Sequence, residues 1–339
     1  MEYLGTFPAG FTDLVKRLIV RDAVSPHFLF SDESSIAFRS ERVLPKLAYL
    51  KNLYPLIAWG KAENLTAAYQ LVVEKPLRQK LTPMLGSPLR YNFVIRVFLE
   101  GRPGPIIRDL HLRLEQQLAQ VLGGRPDSER PDIELQLHLR KNHQCYFILQ
   151  KTKGLTTELP PGTLPPYLCR LLLELSELQR DDIFLDPFMG SGAIPLERAR
   201  MGPYHMIFAG DINPEKVERF KAVLKDKPWE KRRKTIFPKV LDATHLEKFE
   251  DGFFTRLVSD PPWGLYDALG PEELRALYIN FLREASRVLA KTGKMVLLVG
   301  ADVPLADLCR EAKLSLSVAD FMPVLVSGQK ALVYVIIPE

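Results

Sequence analysis

Cysteine is scarce in this chain. Cys145, Cys169 and Cys309 are the only three in 339 residues, and they lie far apart with no CxxC or Cys/His spacing, so neither a disulfide framework nor a zinc site is indicated. Long apolar runs are missing too. The first 20 residues carry Glu2 and Asp13 and no basic start followed by an apolar stretch, which gives the expectation of a cytoplasmic chain with no membrane partner. There is no GxSxG elbow, no metal-spaced histidine pair, no GxGxxG and no GxxxxGK[ST]. Serine-hydrolase, metal, dinucleotide and P-loop chemistry are therefore unsupported, and no metal is expected. Internal repeats and low-complexity tracts are absent as well.

What remains is ordinary globular material, with 46% hydrophobic and 26% charged residues and a length that suits two or three cores. The net charge of +5 is unevenly placed: residues 1–160 hold 22 Lys/Arg against 16 Asp/Glu, whereas residues 161–339 hold 24 against 25. The basic half fits a polyanion partner, although many solvated surfaces share such an excess. Gly and Pro cluster in "KTKGLTTELPPGTLPPY", residues 151–167, where periodic patterning stops, and this marks the main boundary. A weaker one lies near "WGKAENLT", residues 59–66.

Ahead of the weaker boundary the pattern reads strand (3–7), helix (11–22), two strands (27–30, 36–39), helix (43–53) and strand (56–59), an order that resembles a ferredoxin-like unit. From Thr66 a helix leads to the strand "YNFVIRVFLEG" and then to a long helix stopped by Gly123-Gly124. In "PDIELQLHLRKNHQCYFILQKT", Ile133, Leu135, Leu137 and Leu139 alternate with polar residues, and Tyr146 and Ile148 resume the alternation. This predicts a hairpin with one buried face. His138 and His143 in it are candidates for RNA contact, or simply strand and turn positions. Beyond residue 168, short apolar runs alternate with helical segments and end in two long strands. That pattern predicts an α/β fold, a parallel sheet covered on both faces and closed by an antiparallel hairpin, whose ligands bind at the carboxyl ends of its strands.

Four acids stand at those strand ends. Asp186 opens "DPFMGSGA", where Gly190 and Gly192 let the backbone pass close to a ligand without a phosphate-loop lysine. Asp211, about 20 residues beyond the glycine turn, suits a ribose diol. Asp242 suits an adenine amine, with the Ala243 N–H directed at a ring nitrogen. Either acid alone fits an N-cap as well; three in succession point to a nucleoside carrying a group at its 5′ end. The fourth, Asp260, heads "DPPWG". Pro261 and Pro262 have fixed φ and no N–H, so the loop is a stiff mount. The Asp260 carboxylate and a loop carbonyl such as that of Pro261 can then hold both protons of a ring-bound amine, while Trp263 offers a face for stacking. The basic run 227–239, with Trp229 and Phe237 interleaved, fits phosphate contact or a solvated loop equally.

"DPFMGSGA" followed by "SDPPWG" resembles the S-adenosylmethionine-dependent amino-methyltransferases, and the region before it is similar to the THUMP RNA-binding module. As a whole, the chain resembles the THUMP-containing guanine-N2 RNA methyltransferases. The resemblance implies a ferredoxin-like domain over 1–64, a THUMP domain over 65–153 and a Rossmann-like class I methyltransferase domain with a mostly parallel seven-stranded sheet over 154–339. It implies S-adenosylmethionine as cofactor and RNA, above all tRNA, as partner. Asp186, Phe188, Gly190 and Gly192 would surround the methionine part, Asp211 with Ile212 the ribose, and Asp242 with Ala243 the adenine. Thr163 and Leu164 would lie in a segment closing over the cofactor, and Asp260, Pro261, Pro262 and Trp263 would receive the base. Trp263 is larger than the Tyr, Phe or His expected there. A DNA adenine or cytosine amino-methyltransferase, or an RNA-binding protein that keeps the fold without activity, are the alternatives.

Overall fold

The computed structural model describes residues 1–86, 89–151, 162–264, 269–326 and 328–339. The chain divides into two compact units, Met1–Thr6 with Arg17–Glu158 and Phe7–Lys16 with Leu159–Glu339. The expected boundary between residues 153 and 154 lies outside the described residues.

Residues 1–151 supply β1 (Glu2–Thr6), α1 (Thr12–Asp22), β2 (His27–Ser31), β3 (Ser35–Arg39), β4 (Asn52–Lys61), α2 (Leu65–Val73), α3 (Leu77–Leu85), β5 (Phe93–Leu99), β6 (Arg102–Pro103), α4 (Arg108–Leu122), β7 (Ile133–Leu139) and β8 (Gln144–Lys151). The strands join in one sheet of order β2-β3-β1-β4-β8-β7-β5-β6. β4 pairs with both β1 and β8, so segments on either side of residue 64 share that sheet. Leu114, Leu118 and Leu122, at helical spacing on α4, are buried with Phe93, Ile95 and Val97 of β5 and Leu135 and Leu137 of β7, as apolar stripes require.

Three expectations fail here. The segment 43–53 is not helical: residues 41–51 form turns and irregular backbone before β4. Pro45 removes a donor and pushes Leu44 out of the helical region, the Leu44 N–H is taken by the Tyr3 hydroxyl at 3.0 Å, and Leu50 is buried with its side chain beside Gly5. The single helix expected from Thr66 is two, α2 and α3, because Pro76 interrupts it. The hairpin has more than one buried face: Cys145, Phe147 and Leu149 of β8 join the helix-covered core, while Tyr146 and Ile148 pack with Leu4, Ala37 and Leu56 on the other side. Strict alternation in β7 is a poor guide to its partner β8, which lies in the middle of the sheet.

The second unit contains α5 (Pro166–Leu175), β9 (Ile183–Asp186), α6 (Ala193–Arg200), β10 (Met206–Asp211), α7 (Pro214–Val223), β11 (Ile236–Val240), β12 (Phe254–Ser259), α8 (Pro271–Val288), β13 (Leu289–Gly300), α9 (Leu305–Glu311), β14 (Leu316–Val326) and β15 (Gln329–Pro338). The sheet order is β11-β10-β9-β12-β13-β15-β14. β9 to β13 run parallel, and β15 is antiparallel to both β13 and β14, which is the expected seven-stranded arrangement with its terminal hairpin. α9 was not foreseen, since its seven residues are too few to show a period. α8 begins with Pro271 at N1 and Glu273 accepting the Gly270 N–H, and buries Tyr278, Phe281, Leu282 and Ala285. Strand order reverses at β9, whose neighbours are β10 and β12. Such a switch point opens a crevice at the strands' carboxyl ends.

Candidate active site

At that crevice a cavity of about 510 Å³ is lined by Phe188 to Ser191, Asp211, Ile212, Lys216, Leu241 to Ala243, Asp260 and Pro262, together with Gly162, Leu164 and Leu277. Most residues singled out from the sequence therefore meet at one place. Thr163 lies between the lining residues Gly162 and Leu164. Residues 265–268 lie outside the described residues.

The two glycines of the turn do different work. Both have positive φ, +53° at Gly190 and +80° at Gly192. A Cβ on Gly190 would have only the Phe188 carbonyl near it, at 4.0 Å, and would project where this residue lines the cavity. A Cβ on Gly192 would stand 2.2 Å from the Phe220 ring, so Gly192 is required by packing under α7 and not by ligand approach.

Asp211 ends β10 with its carboxylate already in place. Oδ2 accepts the Gly190 N–H at 3.0 Å and Oδ1 the Asn213 N–H at 2.9 Å, and the Lys216 ammonium lies 3.5 Å from Oδ2. Asp242 accepts the Thr244 N–H and hydroxyl on Oδ1, with His245 Nδ1 3.2 Å from Oδ2. Those hydrogen bonds outweigh its partial burial and hold its carboxyl below the usual range. Asp211 Oδ1, with one bond, and Asp242 Oδ2, with His245 alone, each keep a lone pair, so the carboxylates that line the cavity are fixed in direction and remain able to accept from a sugar hydroxyl or an amine. With the open space above Gly190, this donor and acceptor set fits a nucleoside-bearing cofactor.

Asp186 is placed otherwise than expected. It is fully buried and takes the Ser259 hydroxyl on Oδ1 at 2.5 Å and the Phe188 N–H at 3.3 Å, whereas Oδ2 has no hydrogen-bond partner among the described residues. Burial pushes its carboxyl up to about 8, so at neutral pH it is chiefly a neutral acid. It acts on the turn from below and is not among the groups that line the cavity.

The Asp-Pro-Pro-Trp loop follows β12 directly. Pro261 is buried, and Asp260, Pro262 and Trp263 are partly exposed. The Trp263 indole N–H donates to Asp260 Oδ1 at 2.8 Å, a polar role absent from the sequence reading, and its side chain backs on Gly300. The Pro262 carbonyl accepts the Tyr278 hydroxyl at 2.8 Å. Lys216, Leu277, Ser259 and Tyr278 escaped the sequence reading. Ser259 sits in the quoted motif itself, whereas nothing local marks a tyrosine eight residues into a helix.

Two other candidates have aromatic rings packed against neighbouring side chains, while the basic residues of the run 227–239 are exposed. Trp229 is buried with the Arg200 guanidinium over its ring at 4.8 Å, and Phe237 stacks on Phe208 at 5.1 Å. Residues 227–235 of that run precede β11, at the amino end of that strand, opposite the carboxyl ends where the cavity lies. His138 is stacked between Phe98 and Tyr146 at 4.6 and 4.8 Å, and burial drives it down to about 4, so it is neutral at physiological pH. His143 holds the β7–β8 turn with φ +61°. Among the described residues no helix is long and apolar enough to cross a membrane, and no cluster of His, Cys, Asp and Glu has metal-binding geometry.

Known proteins resemble this chain in sequence and fold. A tRNA (guanine(6)-N2)-methyltransferase of Thermus thermophilus is 30% identical over 215 residues, 61% of this chain and 62% of that one. A tRNA (guanine(10)-N2)-dimethyltransferase of Methanothermobacter thermautotrophicus is 32% identical over 134 residues, 39% of this chain and 37% of that one. The matches thus span less than two thirds of either relative. The crystal structure of TrmN from Thermus thermophilus superposes over the full length of both chains with a TM-score of 0.76 at 22% identity, which establishes the fold of both units. The RMKL-like methyltransferase domain matches residues 153–329, slightly more than half of the sequence, and the chain belongs to that family.

Proposed function

We propose that the protein transfers a methyl group from S-adenosylmethionine to the exocyclic N2 amine of a guanine in tRNA. The observation that carries this reading is the meeting of the Asp260–Trp263 loop with Gly190, Asp211 and Asp242 around one cavity. A nucleoside site and an amine clamp thereby share a wall. The guanine and tRNA assignments rest on the motif and on the substrates named for its relatives.

In this reading Asp211 and Ile212 hold the ribose, Asp242 and Ala243 the adenine, and Phe188 and Gly190 the methionine part, with Leu164 closing one side. Bound S-adenosylmethionine supplies an electrophilic methyl on a sulfonium centre. Asp260 accepts one amine proton and the Pro261 carbonyl the other, which directs the nitrogen lone pair into the cavity. As the nitrogen gains positive charge, the Asp260 carboxylate offsets it. Proton loss can follow transfer, so no strong base is required, and positioning provides most of the acceleration. The first 151 residues, with their basic excess, serve as a ferredoxin-like and THUMP region that holds the RNA backbone.

The test is incubation of the protein with methyl-labelled cofactor and either tRNA or duplex DNA, followed by mass spectrometry of the nucleosides. N2-methylguanosine from tRNA alone supports the reading. Label in N6-methyladenine or N4-methylcytosine of DNA, or no label in either, overturns it.

A further inference from the structure

The amine clamp has an unusual mechanical problem. Pro261 and Pro262 carry no N–H, so the segment cannot anchor itself through its own backbone donors, and donors from elsewhere must set its position. The structure provides them at three points. Ahead of the clamp, Ser259 is fully buried and its hydroxyl donates to Asp186 Oδ1 at 2.5 Å. Within it, the Pro262 carbonyl accepts the hydroxyl of Tyr278, a residue 1% exposed on α8. At its end, the Trp263 indole returns to Asp260.

Asp186 and Ser259 close the adjacent central strands β9 and β12. The loop after β9 is the glycine turn of the cofactor cavity, and the loop after β12 is the clamp. The Phe188 N–H lies 3.3 Å from both Asp186 Oδ1 and Ser259 Oγ, so one hydroxyl touches both loops where the strands diverge. We propose that Ser259 and Tyr278 are positioning residues for methyl transfer, Ser259 fixing the clamp to the cofactor turn and Tyr278 fixing it to α8. This proposal rests on the clamp reading given above and goes beyond it by naming what holds the acceptor groups still.

The two anchors have different signatures. Tyr278 touches the clamp at Pro262 and has no contact with the glycine turn or with Asp211 and Asp242 among its described hydrogen bonds, so its hydroxyl acts chiefly on the chemical step. Ser259 contacts both loops, so its loss reaches cofactor binding as well.

The experiment measures single-turnover methyl transfer to tRNA at saturating cofactor, affinity for S-adenosylhomocysteine by calorimetry, and thermal midpoint, for the full chain and for Tyr278→Phe, Ser259→Ala, Ser259→Thr and Asp260→Ala. Tyr278→Phe is expected to slow transfer about tenfold while affinity stays within about twofold, the range of a contact that is not made. Ser259→Ala is expected to slow transfer and weaken binding together, and Ser259→Thr to restore both. Should Ser259→Ala fail to fold, Ser259→Cys keeps the size with a weaker donor and takes its place. If Tyr278→Phe and Ser259→Ala lower only the thermal midpoint and leave transfer unchanged while Asp260→Ala is inactive, the positioning proposal is wrong and the clamp stands. Normal transfer by Asp260→Ala overturns both.

Discussion

The two glycines of the turn after β9 make the sharpest separation of binding from folding. Gly190→Ala and Gly192→Ala add the same methyl group two residues apart, at positions that share a left-handed backbone costing an alanine about 1–2 kcal/mol. At Gly190 that strain is the whole folding cost, because the new Cβ meets only the Phe188 carbonyl, at 4.0 Å. At Gly192 the Cβ falls 2.2 and 2.3 Å from two atoms of the Phe220 ring. Phe220 is 1% exposed, so the ring must shift by more than an ångström inside packed core, which adds about 1–3 kcal/mol. For a unit of this size 1 kcal/mol moves the midpoint by about 2–4 °C. Gly190→Ala should then melt about 2–8 °C below the parent, and Gly192→Ala about 4–20 °C below it. Calorimetric titration with S-adenosylhomocysteine should give the opposite order, with affinity falling about tenfold or more for Gly190→Ala, whose methyl occupies ligand space, and little for folded Gly192→Ala. Equal binding by the parent and Gly190→Ala would refute the assignment of this cavity, and equal midpoints for the two variants would refute the packing argument.

Two further outcomes follow from buried charge. Asp186 is raised to about 8 in the folded chain from an ordinary value of 3.8. Between these values the native state keeps a proton that the unfolded chain has lost, so the group's stabilising contribution is intact below about 4 and is lost as pH rises through about 8. Asp186→Asn should therefore melt close to the parent at pH 4 and above it at pH 8.5, and scanning calorimetry at both pH values checks the sign. Arg198, 1% exposed, reaches Asp182 at 3.3 Å and the carbonyls of Gln179 and Pro203. Removing it in Arg198→Ala takes the nearer of two guanidinium groups from the buried Asp182 carboxylate, leaving Arg256 at 3.9 Å with the Gln179 N–H and the Thr255 hydroxyl, and should cost up to about 3–5 kcal/mol in denaturant unfolding.

The second unit was readable in the sequence because its signals are local. The short strands β9, β10 and β12 end in Asp186, Asp211 and Ser259, and the helices α7 and α8 open with Asn213-Pro214 and Gly270-Pro271. The failures came where a distant part of the sheet decides. Residues 43–53 have helical spacing, but Leu50 is packed beside Gly5 of β1, and β8 is buried on both faces because the helix-covered core takes Cys145, Phe147 and Leu149 while Leu4, Ala37 and Leu56 meet Tyr146 and Ile148 on the other side. The same division runs through the site. Gly190, Asp211, Asp242 and Asp260 could be read from spacing, whereas the depth of Asp186, the Trp263–Asp260 bond and the reach of Tyr278 depend on which strands and helices become neighbours.

The central claim is that one cavity presents a methyl donor to the Asp260 carboxylate. A crystal structure of the protein with S-adenosylhomocysteine tests it most directly. The adenine is expected at Asp242 and Ala243, the ribose at Asp211, and the thioether facing the Asp260–Trp263 loop. A ligand lodged elsewhere, or an Asp260 side chain turned away from the bound sulfur, would contradict it.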